Sequence, residues 1–236
     1  MQLRFLARKT HKWLTLIVGI QVMLWIVSGL YMTVIDIDLI HGDHLVKPLP
    51  KQSLSAQADE QAIAPLPTKV FKRYGHVSAI KLIRRIDKTI YLLSTDDGTI
   101  MLDATNGAIL GELTQQEVMA LATTHYAGDA AMVQTQRLDQ YPAELGGRNM
   151  PVWQVRFDDW LNSTLYFDVN SGQLIRKRSD LWRWFDFFWM LHIMDYETRD
   201  DINNNLLRLA AGLGLIMSFS GLMLLWYRFK PRSEKA

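Results

Sequence analysis

Residues 13–35 read WLTLIVGIQVMLWIVSGLYMTVI, and residues 209–227 read LAAGLGLIMSFSGLMLLWY. Neither stretch contains a charged residue or a histidine. A helix needs about 20 apolar residues to cross the hydrocarbon core of a bilayer. The two stretches therefore predict membrane-spanning helices at 13–35 and 206–228, one near each end of the 236-residue chain. Because the first stretch exceeds the apolar part of a signal peptide and no small-residue cleavage site follows it, we expect an uncleaved anchor.

The charge of the flanking residues predicts the orientation of the two helices. Residues 1–12 carry four Lys or Arg and no acid, and residues 228–236 carry four Lys or Arg and one Glu. Basic flanks stay on the cytoplasmic side, so we expect residues 1–12 and 229–236 in the cytoplasm and the middle of the chain in the periplasm. Outside residues 36–207 lie nine of the 26 Lys and Arg and one of the 24 Asp and Glu, which leaves that middle with a net charge of −6. This charge argues against nucleic acid, whose binders carry clustered positive charge.

The middle of the chain carries two sections of β-strand pattern, separated by one helix pattern. Residues 36–67 contain four prolines and predict a linker with one short helix at 55–63. Thr114 and Glu117 form a capping-box pattern, which predicts a helix at 115–126. Asx-Gly pairs, which tolerate the positive φ of tight turns, separate short apolar runs. These runs predict strands at 77–85, 89–94, 99–103, 108–110, 152–157, 163–168 and 173–177.

The two β sections contain a repeated pattern. Residues 101–110 read MLDATNGAIL and residues 166–175 read YFDVNSGQLI, so apolar pairs flank Asp-x-x-x-Gly in both, at an offset of 65 residues. Such self-similarity indicates repeated structural units. We therefore predict an α+β fold between two transmembrane helices, in which two related halves, 68–112 and 113–180, combine helices with antiparallel hairpins.

An aromatic segment precedes the second apolar stretch. Residues 181–194 read LWRWFDFFWMLHIM, and six of the eight residues 182–189 are aromatic. Trp side chains favour the boundary between bilayer and water. We therefore expect region 181–205 to form a helix at, or dipping into, the outer membrane surface, followed by a polar loop. A soluble core helix is the alternative, but aromatic residues on all its sides would be hard to bury.

Small and polar residues predict helix contacts within the membrane. Ala210, Gly214 and Ser218 recur every four residues, a spacing that lets helices approach closely. Helix packing explains them, although a flat cofactor between helices would need such residues too. Gln21 lies in the middle of the first stretch, so we expect it to face a helix instead of lipid.

The chain has no cysteine. This excludes disulfides, Cys-ligated iron–sulfur clusters and covalent c-type haem, so any redox centre must use His, Met or oxygen ligands. The sequence patterns of α/β-hydrolases, zinc metalloproteases and nucleotide-binding loops are missing, which leaves those functions without support. His41 and His44, in an acidic stretch after the first membrane helix, are weak candidates for a divalent-metal site; a solvated linker is the alternative.

Five features in order along the chain resemble the PepSY-associated transmembrane family. They are Arg8-Lys-Thr-His-Lys-Trp13, Ser28-Gly-Leu30, the two Asp-x-x-x-Gly hairpins (Asp103/Gly107 and Asp168/Gly172), Trp189-Met-Leu-His192 and Ser220-Gly-Leu222. The resemblance implies a bacterial inner-membrane protein with a PepSY-like region, in which a helix packs on a small antiparallel sheet. Some members resemble ferric-siderophore reductases that hold b-type haem between transmembrane helices. Those members have four or more spans, whereas this sequence predicts two and includes no reductase module, so we expect an oxidoreductase subunit at most.

The resemblance implies His11 and His192 as axial ligands of haem b, because imidazole binds haem iron. The predicted topology places His11 near the cytoplasmic surface and His192 near the outer one, at opposite ends of a helix about 35 Å long. The two therefore cannot share one iron within a protomer, and a homodimer would pair each with its own copy and supply four spans. From the residues alone, His11 is equally an interfacial residue of a basic anchor, and His192 a polar cap in an aromatic helix.

These expectations amount to transmembrane electron transfer that serves ferric-iron reduction or a respiratory step. The electrons would come from a separate cytoplasmic flavin reductase or from a quinol. The alternative is a binding, assembly or regulatory module without a redox centre, whose periplasmic region grips a partner through an exposed sheet edge. Bound haem distinguishes the first function from the second.

Overall fold

The structure, a computed structural model, describes residues 2–48, 76–86, 88–96, 98–146 and 150–229. The chain divides into two compact units, which we call the membrane unit (Met1–Ile37 with Arg183–Ala236) and the sheet unit (Asp38–Trp182). The predicted short helix at 55–63 and most of the predicted linker lie outside the described residues. The helices are α1 (Gln2–Val34), α2 (Ile37–His41), α3 (Gln115–His125), α4 (Asp180–Ile193) and α5 (Asn205–Phe229), with single 3-10 turns at Asp43–Leu45 and Ala143–Leu145. The strands are β1 (Val77–Arg85), β2 (Lys88–Thr95), β3 (Gly98–Asp103), β4 (Ile109–Leu110), β5 (Met132–Leu138), β6 (Val152–Phe157), β7 (Thr164–Asp168) and β8 (Leu174–Arg178).

Helices α1 and α5 are the two apolar helices predicted from the sequence, and they pack against each other. Both are long and apolar enough to cross a membrane. Helix α1 begins eleven residues before the uncharged stretch, because Lys and Arg favour helix although they end an apolar run. Apolar side chains such as Ile20 and Leu209 are exposed, as expected of helices whose outer faces meet lipid.

Helix α4 is the predicted aromatic helix, and its second half packs along α1. The Phe188 and Tyr31 rings lie 4.7 Å apart, and the Gln21 Nε2 atom donates to the Leu191 carbonyl at 3.3 Å. The contacts extend over ten residues of α1, about 15 Å along its axis. Gln21 therefore faces a helix, as predicted.

The sheet unit contains two four-stranded antiparallel sheets, ordered β1-β2-β3-β4 and β5-β6-β7-β8. The predicted strands all form, with ends shifted by at most one residue. Strand β5 was missed, because its sequence MVQTQRL is largely polar and most of its residues are partly or fully exposed at the edge of the second sheet. Apolar alternation identifies strands with one buried face, and β5 has no such alternation.

Helix α3 covers the second sheet and completes its core. The predicted capping box forms: the Thr114 hydroxyl accepts from the Glu117 amide, and the Glu117 carboxylate accepts from the Thr114 amide at 2.8 Å. Val118 and Ala122 of the helix are fully buried against Val155, Leu165 and Phe167 of the sheet. The arrangement is the α+β packing that the sequence predicts for 113–180.

The two Asp-x-x-x-Gly motifs form the same turn in the two sheets. The Gly107 amide donates to the Asp103 carbonyl at 2.8 Å, and the Gly172 amide donates to the Asp168 carbonyl at 3.0 Å. The glycines have φ values of 71° and 72°, which glycine adopts without steric cost. In each turn the Asp Oδ1 atom also accepts from the backbone amide two residues on. The sequence similarity thus reflects a shared turn geometry.

Replacing Gly172 with alanine should destabilise the sheet unit by about 1–2 kcal/mol, because an L-residue pays that amount in the left-handed region. The added Cβ would also lie 2.9 Å from Leu121 Cδ1 and 3.0 Å from Leu113 Cδ1. Denaturant unfolding of the full chain in detergent measures the loss. Gly111→Ala is the matched control, because a Cβ there meets open space. Equal free energies of unfolding for the Gly172→Ala and Gly111→Ala variants would contradict the requirement for glycine at position 172.

Candidate functional site

His192 lies one residue before the end of α4, against the buried Ser28 of α1. Its Nδ1 atom is 2.8 Å from Ser28 Oγ. The Ser28 hydroxyl lies 2.7 Å from the Leu24 carbonyl oxygen and 3.2 Å from that of Trp25. When it donates to either carbonyl, its oxygen accepts from Nδ1–H of His192. In the neutral ring this leaves the lone pair on Nε2.

The end of α4 is held by side chains that bond its last carbonyls. The last carbonyls of a helix have no partner within the helix. Here Gln21 bonds the Leu191 carbonyl, the Trp25 indole N–H donates to that of His192 at 2.8 Å, and Asn204 Nδ2 donates to that of Ile193 at 2.9 Å. These bonds fix the position of the residue that carries the imidazole.

His11 of α1 meets a similar arrangement on α5. Its Nδ1 atom lies 3.1 Å from both the Met217 carbonyl oxygen and Ser220 Oγ. A carbonyl only accepts, and the Ser220 hydroxyl donates to the same carbonyl at 2.7 Å, so Nδ1 of His11 carries the hydrogen. The neutral His11 ring therefore also keeps its lone pair on Nε2.

Each of these histidines rests on a Ser-Gly pair of another helix, and we call the two arrangements the histidine seats. The α1 seat pairs His192 with Ser28 and Gly29 of α1, and the α5 seat pairs His11 with Ser220 and Gly221 of α5. A Cβ on Gly29 would lie 3.8 Å from His192 Cε1, and a Cβ on Gly221 would lie 3.0 Å from His11 Cε1. Gly221 thus allows the His11 ring to approach the backbone of α5, whereas the space at Gly29 would also accept a Cβ.

The serines were missed as functional residues in the sequence. Both occur in the tripeptide Ser-Gly-Leu, once in each apolar stretch. That repetition was the available signal, but the sequence does not show which residue each serine faces. Their partners lie 164 and 209 residues away along the chain.

The two seats are separate. His11 and Ser28 are seventeen positions apart on α1, which corresponds to about 25 Å at the rise of an α-helix. Both histidines are partly exposed, so each seat leaves part of its ring accessible. His11 lies beside Met217 and Ser220, well before the end of α5 at Phe229.

Substituting Gly221 with alanine should displace the His11 ring, because its Cβ would meet Cε1 at 3.0 Å and the ring must move by a few tenths of an ångström. Gly29→Ala should leave His192 in place, since 3.8 Å is an ordinary contact. Side-chain NMR of the two imidazoles in the full chain checks both expectations. Equal chemical-shift changes for His192 in Gly29→Ala and for His11 in Gly221→Ala would contradict the expected difference between the two positions.

The small residues of α5 only partly follow the predicted stripe. Ala210 is buried, and Gly214 approaches the Trp25 ring. Ser218 is exposed and donates to the Gly214 carbonyl at 2.9 Å. A helix repeats every 3.6 residues, so a strict spacing of four turns away from the contact with α1.

The weak metal candidates His41 and His44 lie in the sheet unit. Asp43 between them pairs with Lys177, and the hydrogen bond and charge of that lysine lower the pKa of the carboxyl. Within the described ranges, no three His, Cys, Asp or Glu residues are grouped as metal ligands. His125 Nδ1 donates to the Leu121 carbonyl of its own helix at 2.8 Å, and the ring packs edge-on to Phe167, which is a structural role.

Comparison with known proteins identifies one relationship. A family model described as the PepSY-associated TM region matches residues 8–236. The match covers both histidine seats and both sheets. No curated protein and no solved structure matches the chain.

Proposed function

We propose, since this chain belongs to the PepSY-associated transmembrane family, that it is a haem-dependent electron-transfer protein of the bacterial inner membrane. The observation that supports the proposal most is that the two histidine seats hold their imidazole rings in the same way. Both imidazoles place Nδ1 within hydrogen-bond distance of an oxygen, which is the Ser28 hydroxyl for His192 and the Met217 carbonyl for His11. A hydrogen on Nδ1 leaves Nε2 as the lone-pair nitrogen. Metal-ligating histidines almost always donate their other ring N–H to an oxygen partner in this way.

The residues of the seats fit b-type haem. His11 and His192 would each supply one imidazole nitrogen to the haem iron, which would supply one-electron redox chemistry. The protein has no cysteine to attach haem covalently. Since the seats lie too far apart to share one iron, the second ligand of each would come from the same residue of a second copy, in a two-fold homodimer.

The residues around His192 would keep water from that seat. Tyr31 and Phe188 are in ring contact, and Phe188 also contacts Trp184 and Phe187. Such an apolar shell controls solvent access and the local dielectric, and thereby a redox potential. The α5 seat lies between α1 and α5, next to the exposed Lys9 and Lys12, so its haem would sit close to the predicted cytoplasmic surface.

The charged ends of the helices support a direction for transfer. Exposed Lys9, Lys12 and Arg228 flank the apolar parts of α1 and α5, which favours cytoplasmic termini and a periplasmic sheet unit. Electrons would enter from a cytoplasmic flavin reductase or a quinol and serve ferric-iron reduction, or a respiratory step, on the outer side.

A binding, assembly or regulatory module is the second candidate, and the first sheet favours it. Among the described strands, β1 pairs only with β2, so its nine residues offer a long edge for strand addition. The edge of β8 is less available, because Arg176 and Arg178 donate to the Ile175 and Lys177 carbonyls of that strand.

A visible spectrum tests the proposal. The full chain, purified in detergent from haem-sufficient cells, should show b-type bands in its reduced-minus-oxidised spectrum. His11→Ala and His192→Ala should each remove a part of these bands, and the variant at the exposed His76 should keep them all. A colourless wild-type protein would overturn haem binding and favour the module.

A further inference from the structure

Ser28 is fully buried in an apolar helix, and among the described residues His192 is the side chain within hydrogen-bond distance of its hydroxyl. Its hydrogen is used by the Leu24 carbonyl, which leaves the hydroxyl oxygen as an acceptor. A buried acceptor without a donor costs free energy. The Nδ1–H group of His192, 2.8 Å away, supplies that donor, whereas the other neutral tautomer would require the Ser28 hydroxyl to turn away from the Leu24 and Trp25 carbonyls toward Nδ1.

Ser220 likewise offers its hydroxyl oxygen as an acceptor to His11. Only 9% of Ser220 is exposed, and its hydrogen is given to the Met217 carbonyl. His11 Nδ1 then faces two acceptors, the Met217 carbonyl oxygen and Ser220 Oγ. Both acceptors favour the tautomer with hydrogen on Nδ1.

We propose that Ser28 and Ser220 are positioning residues that hold His192 and His11 in the Nδ1–H tautomer and so present Nε2 to a metal. The proposal rests on the proposed role of these histidines as ligands, but it describes a property of the protein chain itself. Helix α1 belongs to both histidine seats. Its Ser28 contacts His192 of α4, and its His11 contacts Ser220 of α5. A serine in each apolar helix therefore orients a histidine of another helix.

Imidazole NMR tests the tautomers directly. The full chain, labelled with 15N in its histidine rings and produced without haem supply, should show Nδ1–H signals for His11 and His192. Ser28→Ala should reduce the tautomer preference of His192 by about fivefold, the worth of one net hydrogen bond of about 1 kcal/mol, and leave His11 unchanged. Ser220→Ala should leave His192 unchanged and alter His11, although the Met217 carbonyl retains part of its preference.

Two further variants separate positioning from a general loss of structure. Ser218→Ala is the matched control, because Ser218 makes the same type of bond to the carbonyl four residues earlier but is exposed and faces no histidine. Ser220→Thr keeps the hydroxyl and should restore the tautomer of His11. Unchanged tautomers in both alanine variants, or equal changes in Ser218→Ala, would overturn the proposal.

The spectrum of the haem-supplied protein gives an independent measurement. Removing the oxygen partner of a ligating histidine typically weakens metal binding 10- to 100-fold, so Ser28→Ala should weaken haem binding at His192 by about that factor. Serine-dependent tautomers in a protein without b-type bands would overturn the haem function and leave the positioning role standing. Bands and tautomers that are both insensitive to the serines would overturn the positioning role alone.

Discussion

Gly128→Ala should destabilise the sheet unit by about 3 kcal/mol, the upper part of the range for overpacking a core. A Cβ at this position would lie 2.7 Å from Cζ and Oη of Tyr126. The ring cannot move aside easily, because it stacks on Phe157 with centroids 3.8 Å apart and donates to Asp159 at 2.8 Å. Native-state hydrogen exchange in β6 of the full chain measures the loss.

A double-mutant cycle distinguishes this clash from a backbone effect. If the clash with Tyr126 is the cause, Gly128→Ala should cost little in a Tyr126→Ala background. The same cost in both backgrounds would show that the backbone of Gly128, and not the ring, sets the stability. The pKa of Tyr126 also reflects its burial. Burial is the largest cause that raises this pKa, and the hydrogen bond to Asp159 raises it further.

Asp195→Asn should increase hydrogen exchange of the loop between α4 and α5 by about 10- to 100-fold, the range for hydrogen bonds to a charged group. The Asp195 carboxylate accepts from the backbone amides of Glu197, Thr198, Asp200 and Asp201 and from the Thr198 hydroxyl. An amide side chain would replace one acceptor oxygen with a donor that faces N–H groups. Asp200→Asn is the control, because the loop uses the backbone amide of Asp200.

The same loop should lose its protection in acid. The hydrogen bonds from Thr198, Asp201 and Asp200 hold the pKa of Asp195 below its usual value. The stabilisation is therefore complete above the unfolded pKa of about 3.9 and is lost as the pH falls through the lower folded pKa. Exchange of these amides that is already fast at pH 5 in the wild type would contradict the carboxylate's role.

The loop between α4 and α5 matters for the α1 seat because it joins α4, which contains His192, to α5. Asn204, at its end, bonds the Ile193 carbonyl with its side-chain N–H and caps α5 by accepting from the Leu207 amide at 2.8 Å. Trp189 of α4 also donates to the Arg199 carbonyl within the loop at 2.9 Å. A loosened loop should therefore loosen the end of α4 and the imidazole it carries.

Local patterns were enough to predict most elements. The absence of charge over the 23 residues 13–35 and the 19 residues 209–227 identified α1 and α5, because burying a charge in hydrocarbon is costly wherever the helix packs. Alternation and Asx-Gly turns identified seven strands, since each has one buried face or a turn that needs positive φ. Strand β5 has neither signal, because the edge of a sheet places few demands on its side chains.

The amino-acid sequence alone was enough to identify a membrane protein of the PepSY-associated family with two apolar helices, and to single out His11 and His192 as candidate ligands. Those conclusions rest on the composition of the two apolar stretches and on the order of short motifs along the chain, which can be read without knowing any tertiary contact. The contacts of Ser28 with His192 and of Ser220 with His11 became visible only in the folded chain. The state of an imidazole depends on the donor or acceptor opposite each ring nitrogen, and helix packing alone brings together residues more than 160 positions apart.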